Sequence, residues 1–193
     1  MFNKLRLPKP SEQIVSLVRN LATTRPIDES ALAWHKEQQP KDTNCAAGEF
    51  FPDPAFAELV LAEYKDFFNV EVYPLIGVLQ NVGVTPACYP PHSDRMRNVA
   101  INYYIELGGD DVPTVFYDKT DPIDDKAGGH VLSYDDLPTI TNKITFKKNE
   151  WYILPSKQYH SVENIETMRI MISFLYIGEV EHFINAHKHL FID

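Results

Sequence analysis

The chain has 193 residues, 44% of them apolar and 12% aromatic, with 18 basic against 27 acidic side chains and a formal net charge of −9. That composition suits one buried core and excludes a disordered chain. An acidic field without a Lys/Arg stripe argues against a nucleic-acid partner, and no apolar run is long enough to span a bilayer.

In chain order, "MFNKLRLPKPSEQ" lacks the apolar h-region of a secretory signal, so a cytoplasmic protein is expected. "SEQIVSLVRNLA" predicts a helix with Ser11 as N-cap and Ile14, Leu17, Val18 and Leu21 at helical spacing. "DESALAWHKEQQ" predicts a second helix, stopped by Pro40. "DPAFAELVLAEYKDFFN" predicts a third, with Asp53 as cap and Pro54 in the first turn. From residue 71 the pattern shortens into β-type stretches separated by turn residues: "EVYPLIGVLQ", "NVAINYYIEL", "PTVFYD", "HVLSY", "NKITFKK", "EWYILP" and "MRIMISFLY". Gly108-Gly109, Gly128-Gly129 and "KKNE" supply turns, and "GEVEHFINAHKHLFID" predicts a closing helix or tail. The class is mainly β with flanking α-helices, an antiparallel sandwich or barrel with the N-terminal helices packed on one sheet. One domain over 1–193 is expected, with a helical support at 1–70, a β core at 71–177 and a C-terminal element at 178–193.

Residues 108–138 form an acidic, turn-rich insertion. Asp118, Asp121, Asp124 and Asp125 lack the turn glycine and terminal glutamate of an EF-hand loop, so a solvated loop or a lid is expected rather than a calcium site. Cys45 and Cys88 show neither CxxC nor zinc-finger spacing, and two reduced thiols are the expectation.

The chemistry-bearing letters sit in "YPPHSDRMRN" and "WYILPSKQYHSVENIETMRIMISF". Residues i and i+2 of a strand share a face about 6.5 Å apart, so His92 and Asp94 could aim a nitrogen and an oxygen at one point. Two histidines and a carboxylate on one face of an octahedron are the ligand set of non-heme Fe(II) oxygenases. Two rival pairs, His35-x-Glu37 and His187-x-His189, read as surface residues: the first lies in a polar helical stretch and the second near the terminus. His160 follows a strand and precedes a turn, and Arg169 opens an apolar strand. Arg169, Met171 and Ser173 face one way, against Ile170, Ile172 and Phe174. An interior arginine requires an anion: either a ligand carboxylate or an internal salt bridge to Glu106 or Glu163.

"PPHSD", "YHSVEN" and "MRIMISF" together resemble the HxD…H…R pattern of the Fe(II)/2-oxoglutarate-dependent dioxygenases, over about residues 70–177. They are similar in flavour to the prolyl-hydroxylase and aspartyl/asparaginyl-hydroxylase branches. The resemblance implies a double-stranded β-helix, a jelly-roll relative of the cupins. It implies His92, Asp94 and His160 as iron ligands, with Arg169 holding the distal carboxylate of 2-oxoglutarate. The implied reaction hydroxylates an unactivated C–H with dioxygen and releases succinate and CO2. Many members carry a hydroxyl two positions after the arginine. Met171 stands there, with Ser173 one pleat on, so Asn102, Tyr104 and Ser173 are candidates to complete the cosubstrate site. Alternation places Ala100, Asn102, Tyr104 and Glu106 on one face. Thr114 and Tyr117 are candidates for the substrate mouth, while Trp151 and Tyr152 read as core. The substrate expected is a small molecule or peptide side chain, neutral or cationic given the acidic field. Two other readings use the same letters: a zinc hydrolase on the triad, and a non-catalytic jelly-roll module in which the histidines never meet.

Overall fold

A computed structural model of the chain describes residues 3–25, 46–81, 86–94, 97–120, 132 and 137–192. Ten strands and three α-helices run in the order β1 (Asn3–Leu5), α1 (Glu12–Thr24), β2 (Ala46–Phe51), α2 (Pro54–Tyr64), β3 (Tyr73–Asn81), β4 (Ala87–His92), β5 (Val99–Leu107), β6 (Thr114–Thr120), β7 (Ile140–Ile144), β8 (Trp151–Pro155), β9 (Gln158–Ile165), β10 (Arg169–Tyr176), α3 (Val180–Ala186) among the described residues. The expected helix at 28–39 with His35 and Glu37 lies outside those residues, as do Cys45, Gly128-Gly129, Asp121, Asp124 and Asp125. The expected strand at 130–134 lies there too, except for Leu132.

The caps read from the sequence are present. The Ser11 hydroxyl accepts the Ile14 N–H at 3.4 Å, and Asp53 Oδ1 accepts the Phe56 N–H at 2.9 Å with Pro54 in the first turn. The stripe that α1 buries is Ile14, Val15, Val18 and Ala22, with Leu17 and Leu21 at its margin, a small rotation from the expected face.

The strands form two antiparallel sheets, a six-stranded one in the order β1-β8-β5-β10-β3-β2 and a four-stranded one in the order β4-β9-β6-β7. From β3 to β6 and again from β7 to β10 the chain alternates between them. Helices α1 and α2 cover the outer face of the larger sheet. There Tyr64, Trp151 and Phe174 meet at ring distances of 5.3–5.6 Å, and both the Tyr64 hydroxyl and the Trp151 indole donate to Pro8 O at 2.8 Å. Aromatic side chains each bury roughly 150–250 Å² and rarely leave a polar hydrogen unmatched, which makes this cluster the anchor of the helical layer. A second core fills the space between the sheets, where Leu79, Tyr104 and Met171 of the larger sheet meet Phe116, Val162 and Ile165 of the smaller. On β10 the expected alternation holds, with Ile170, Ile172 and Phe174 toward the helices and Met171 between the sheets. Among the described residues no helix is long and apolar enough to cross a membrane.

Three features depart from the sequence reading. Strands β1, β2, β4 and β9 are additional, and β7 covers Ile140–Ile144 rather than running on to Lys148. On β5 a bulge intervenes: Tyr104 faces Met171 and Glu106 faces Ile170, so Ile105 is the extra residue. The parity flips there, and Glu106 leaves the face of Asn102 and Tyr104 for the helix side, where it pairs with Arg19 and Lys148. His187 is not a surface residue. It is fully buried, stacks on Phe183 at 4.2 Å, donates Nδ1–H to Phe183 O and accepts the Asn69 N–H at Nε2, so it pins α3 to the loop before β3.

Candidate metal centre

Strands β4 and β9 pair so that His92 stands opposite His160, with ring centroids 4.4 Å apart. Each ring donates its Nδ1–H to a carbonyl two residues back on its own strand, His92 to Pro90 O at 2.8 Å and His160 to Gln158 O at 2.9 Å. This fixes both tautomers with Nε2 as a bare lone pair, the form in which imidazole binds a metal. Asp94 does not owe its place to the pleat, since β4 ends at His92. Its N–H donates to Ser156 O at 2.9 Å, Oδ2 accepts Arg97 Nε at 2.6 Å, and Oδ1 stands 3.6 Å from His92 Nε2. One donor atom from each of His92, Asp94 and His160 lies within 4.8 Å of the others, a set that can hold a metal ion.

The electrostatics keep these groups ready to coordinate. Burial pushes the Asp94 carboxyl up, but the Arg97 guanidinium beside it outweighs burial and holds the carboxyl well below the usual carboxylate range. Burial, reinforced by His92, pushes His160 down to about 4, so at neutral pH it is an uncharged imidazole.

The triad opens onto a cavity between the sheets, walled by apolar side chains including Phe50, Leu79 and Met171. Arg169 lines the same cavity and is 1% exposed. Its contacts are weak ones: Nη1 to Val112 O at 3.5 Å, Nη2 to the Thr114 hydroxyl at 3.4 Å, and the guanidinium over the Tyr104 ring at 4.5 Å. Its Nε has no hydrogen-bond partner, and no acidic side chain pairs with it among the described residues. Both acids that could have formed an internal salt bridge are engaged elsewhere, Glu106 with Arg19 and Lys148, Glu163 with Lys143.

Of the other sequence candidates, Asn102, Tyr104 and Thr114 line the cavity. Ser173 does not. It is fully buried across the strand pair from Asn102, donates to Asn102 Oδ1 at 2.7 Å and accepts from Arg97 Nη1 at 2.7 Å. Tyr117 faces the other way, packing with Val115 and Tyr159 and hydrogen-bonding Ser161 on the outer side of the smaller sheet. Thr114 and Tyr117 are an odd number of residues apart on β6, so one pleated strand cannot aim both inward. The residue that sequence reasoning missed is Arg97, 7% exposed, bonded to Asp94 and Ser173 and lying over the Phe50 ring at 4.2 Å. Its only sequence signal is its position three residues after Asp94.

No family profile and no curated protein matches the chain. Among solved structures it is similar to a Pseudomonas putida prolyl-4-hydroxylase, at 14% identity over 91% of this chain and 91% of that one, with a TM-score of 0.41. It is similar also to a prolyl hydroxylase from Trichoplax adhaerens in complex with a hypoxia inducible factor peptide fragment, at 14% identity over 86% and 90% of the two chains, TM-score 0.41. The hydroquinone 1,2-dioxygenase PnpCD is similar at 12% identity and a TM-score of 0.36, over 56% of this chain, which spans 60% of that protein's chain.

Proposed function

We propose that this chain is an Fe(II)- and 2-oxoglutarate-dependent oxygenase on a double-stranded β-helix, hydroxylating an unactivated C–H of an amino acid, peptide or other small molecule. The observation that carries the proposal is the orphan guanidinium. A buried cation with an unmatched Nε costs several kcal/mol unless an anion reaches it, and here it shares one cavity with three metal donors. A zinc hydrolase would use the triad and leave Arg169 unexplained. A dicarboxylate with a keto group accounts for both ends of the cavity.

The residues present fit Fe(II): two imidazole nitrogens and one ionised carboxylate oxygen, all within 4.8 Å of one another. Bound there with 2-oxoglutarate, the metal would supply dioxygen activation coupled to release of succinate and CO2. The protein's own part is positioning. Nδ1–H donation to Pro90 O and Gln158 O keeps both rings aimed. Arg169 offers a fork for the distal carboxylate, and the Thr114 hydroxyl, 3.4 Å from that guanidinium, would supply the hydrogen bond that Met171 lacks. Phe50, Leu79 and Met171 exclude water from the space between.

The test is anaerobic addition of Fe(II) and then 2-oxoglutarate to the apoprotein. A weak visible charge-transfer band that requires both additions is expected, followed by succinate release on admitting oxygen. Failure to bind stoichiometric iron, or binding with no spectral response to 2-oxoglutarate, overturns the reading.

A further inference from the structure

The triad carboxylate is held by a side chain that the functional reading does not require. Arg97 Nε donates to Asp94 Oδ2 at 2.6 Å, and Nη1 donates to the Ser173 hydroxyl at 2.7 Å. Ser173 donates in turn to Asn102 Oδ1 at 2.7 Å, and Asn102 Nδ2 reaches the Tyr104 hydroxyl at 3.5 Å. The Tyr104 ring carries the guanidinium of Arg169 on its face at 4.5 Å. A continuous polar path therefore runs from the triad, through the larger sheet, to the orphan arginine. Arg97 is clamped from below as well, by the Phe50 ring at 4.2 Å, and is 7% exposed.

Two consequences follow from the donor geometry. With Oδ2 engaged by Arg97, Asp94 presents Oδ1 to the imidazoles and is confined to one-oxygen coordination, which leaves more of the coordination sphere to other ligands. Because guanidinium donors are a rigid planar fork, the angle of the carboxylate is set by where Ser173 holds the second nitrogen. The geometry points to Arg97 as a positioning residue that orients the metal-binding carboxylate and ties its orientation, through Ser173 and Asn102, to the arginine end of the cavity. The inference rests on the metal-binding reading above and goes beyond it in assigning a part to Arg97 and Ser173.

The experiment uses Mn(II), which binds without turning over, and measures its affinity by the loss of the free-ion EPR signal in the whole chain. Outer ligands of this kind shift metal affinity by about 10- to 100-fold. Arg97→Gln is expected to weaken Mn(II) by at least about tenfold, and Arg97→Lys, which keeps the charge but not the fork, by less. Ser173→Ala leaves the Asp94 contact in place and is expected to change the bound-Mn(II) line shape and weaken 2-oxoglutarate binding to the Mn(II) form, with Mn(II) affinity within about threefold of the parent. A merely structural arginine would lower melting temperature in Arg97→Gln with no change in Mn(II) affinity of the folded fraction, and that result overturns the inference. If Arg97→Gln does not fold, Arg97→Lys and Ser173→Ala decide alone: parent-like affinity in the first and parent-like line shape in the second overturn it. A parent protein that binds no Mn(II) overturns the oxygenase reading and this inference with it, whereas parent-like variants beside a metal-binding parent overturn this inference only.

Discussion

Replacing Arg169 by methionine removes a buried cation while keeping an unbranched side chain of similar reach. In the apoprotein the losses are small. A cation–π contact to Tyr104 at 4.5 Å contributes about 0.5–2 kcal/mol. The hydrogen bonds at 3.4 and 3.5 Å are beyond the optimum and contribute well under about 1 kcal/mol each. Against these stands the desolvation of an unpaired charge, several kcal/mol even after relaxation, so substitution should stabilise the apoprotein by about 1–3 kcal/mol. For a chain of this size that is a rise in Tm of roughly 2–4 °C per kcal/mol. Ligand should reverse the ranking. With Mn(II) present and 2-oxoglutarate at about 100 times its Kd, the parent should gain about 2.7 kcal/mol, and Arg169→Met should gain almost nothing from the cosubstrate. Differential scanning fluorimetry with and without Mn(II) and 2-oxoglutarate reads both effects. A variant that melts several degrees lower as apoprotein and still shows the full 2-oxoglutarate shift would refute the reasoning, because Arg169 would then be a satisfied structural cation.

Asp94→Ala and His160→Ala each delete one of three donors and should abolish stoichiometric Fe(II) binding by metal analysis while the fold survives; retained iron in either would remove that residue from the centre. His187 is buried neutral and its pKa lies below the ordinary histidine value because of that burial. The unfolded chain therefore takes up more protons as pH falls below about 6.5, so stability contributed by neutral His187 is present above that pH and lost as pH falls toward the folded value. His187→Gln should flatten the decline in urea midpoint between pH 8 and 5, and an unchanged slope would count against the assignment. Gly77→Ala places a Cβ 2.6 Å from the Phe50 ring and 2.7 Å from Met171, two walls of the cavity. Overpacking of this kind costs about 1–3 kcal/mol in denaturant unfolding and should weaken ligand binding in a narrowed cavity; a parent-like midpoint would show that both side chains can yield.

How much of this was legible in the sequence depends on whether local pattern or pairing decides. The Ser11 and Asp53 caps, and the alternation of β10 that turns Arg169 inward, follow from spacing, and the structure has them. Strand β4 was hidden because "ACYPPH" carries two prolines, which local pattern reads as breakers. Local pattern makes β9 the approach to a turn, yet the turn falls earlier, at Ser156-Lys157, and His160 sits mid-strand. The extra residue at Ile105 leaves no trace in the letters, so simple alternation puts Glu106 on the wrong face. Tyr117 could have been placed correctly from parity with Thr114 alone. Arg97 could not, because its value comes from Ser173, 76 residues away, and from Asp94 lying beyond its strand.

The two prolines before His92 have a consequence for what can approach it. Among the described residues strand β4 is the outermost of its sheet, the position from which a sheet ordinarily recruits foreign backbone. At Pro90 and Pro91 there is no amide hydrogen to offer, the first carbonyl is taken by the His92 ring and the second by the Leu132 N–H. A polypeptide visitor can therefore gain no main-chain ladder at these two positions. Any that arrives there must be recognised by its side chains, and the same absence protects this margin from pairing with a misfolded neighbour.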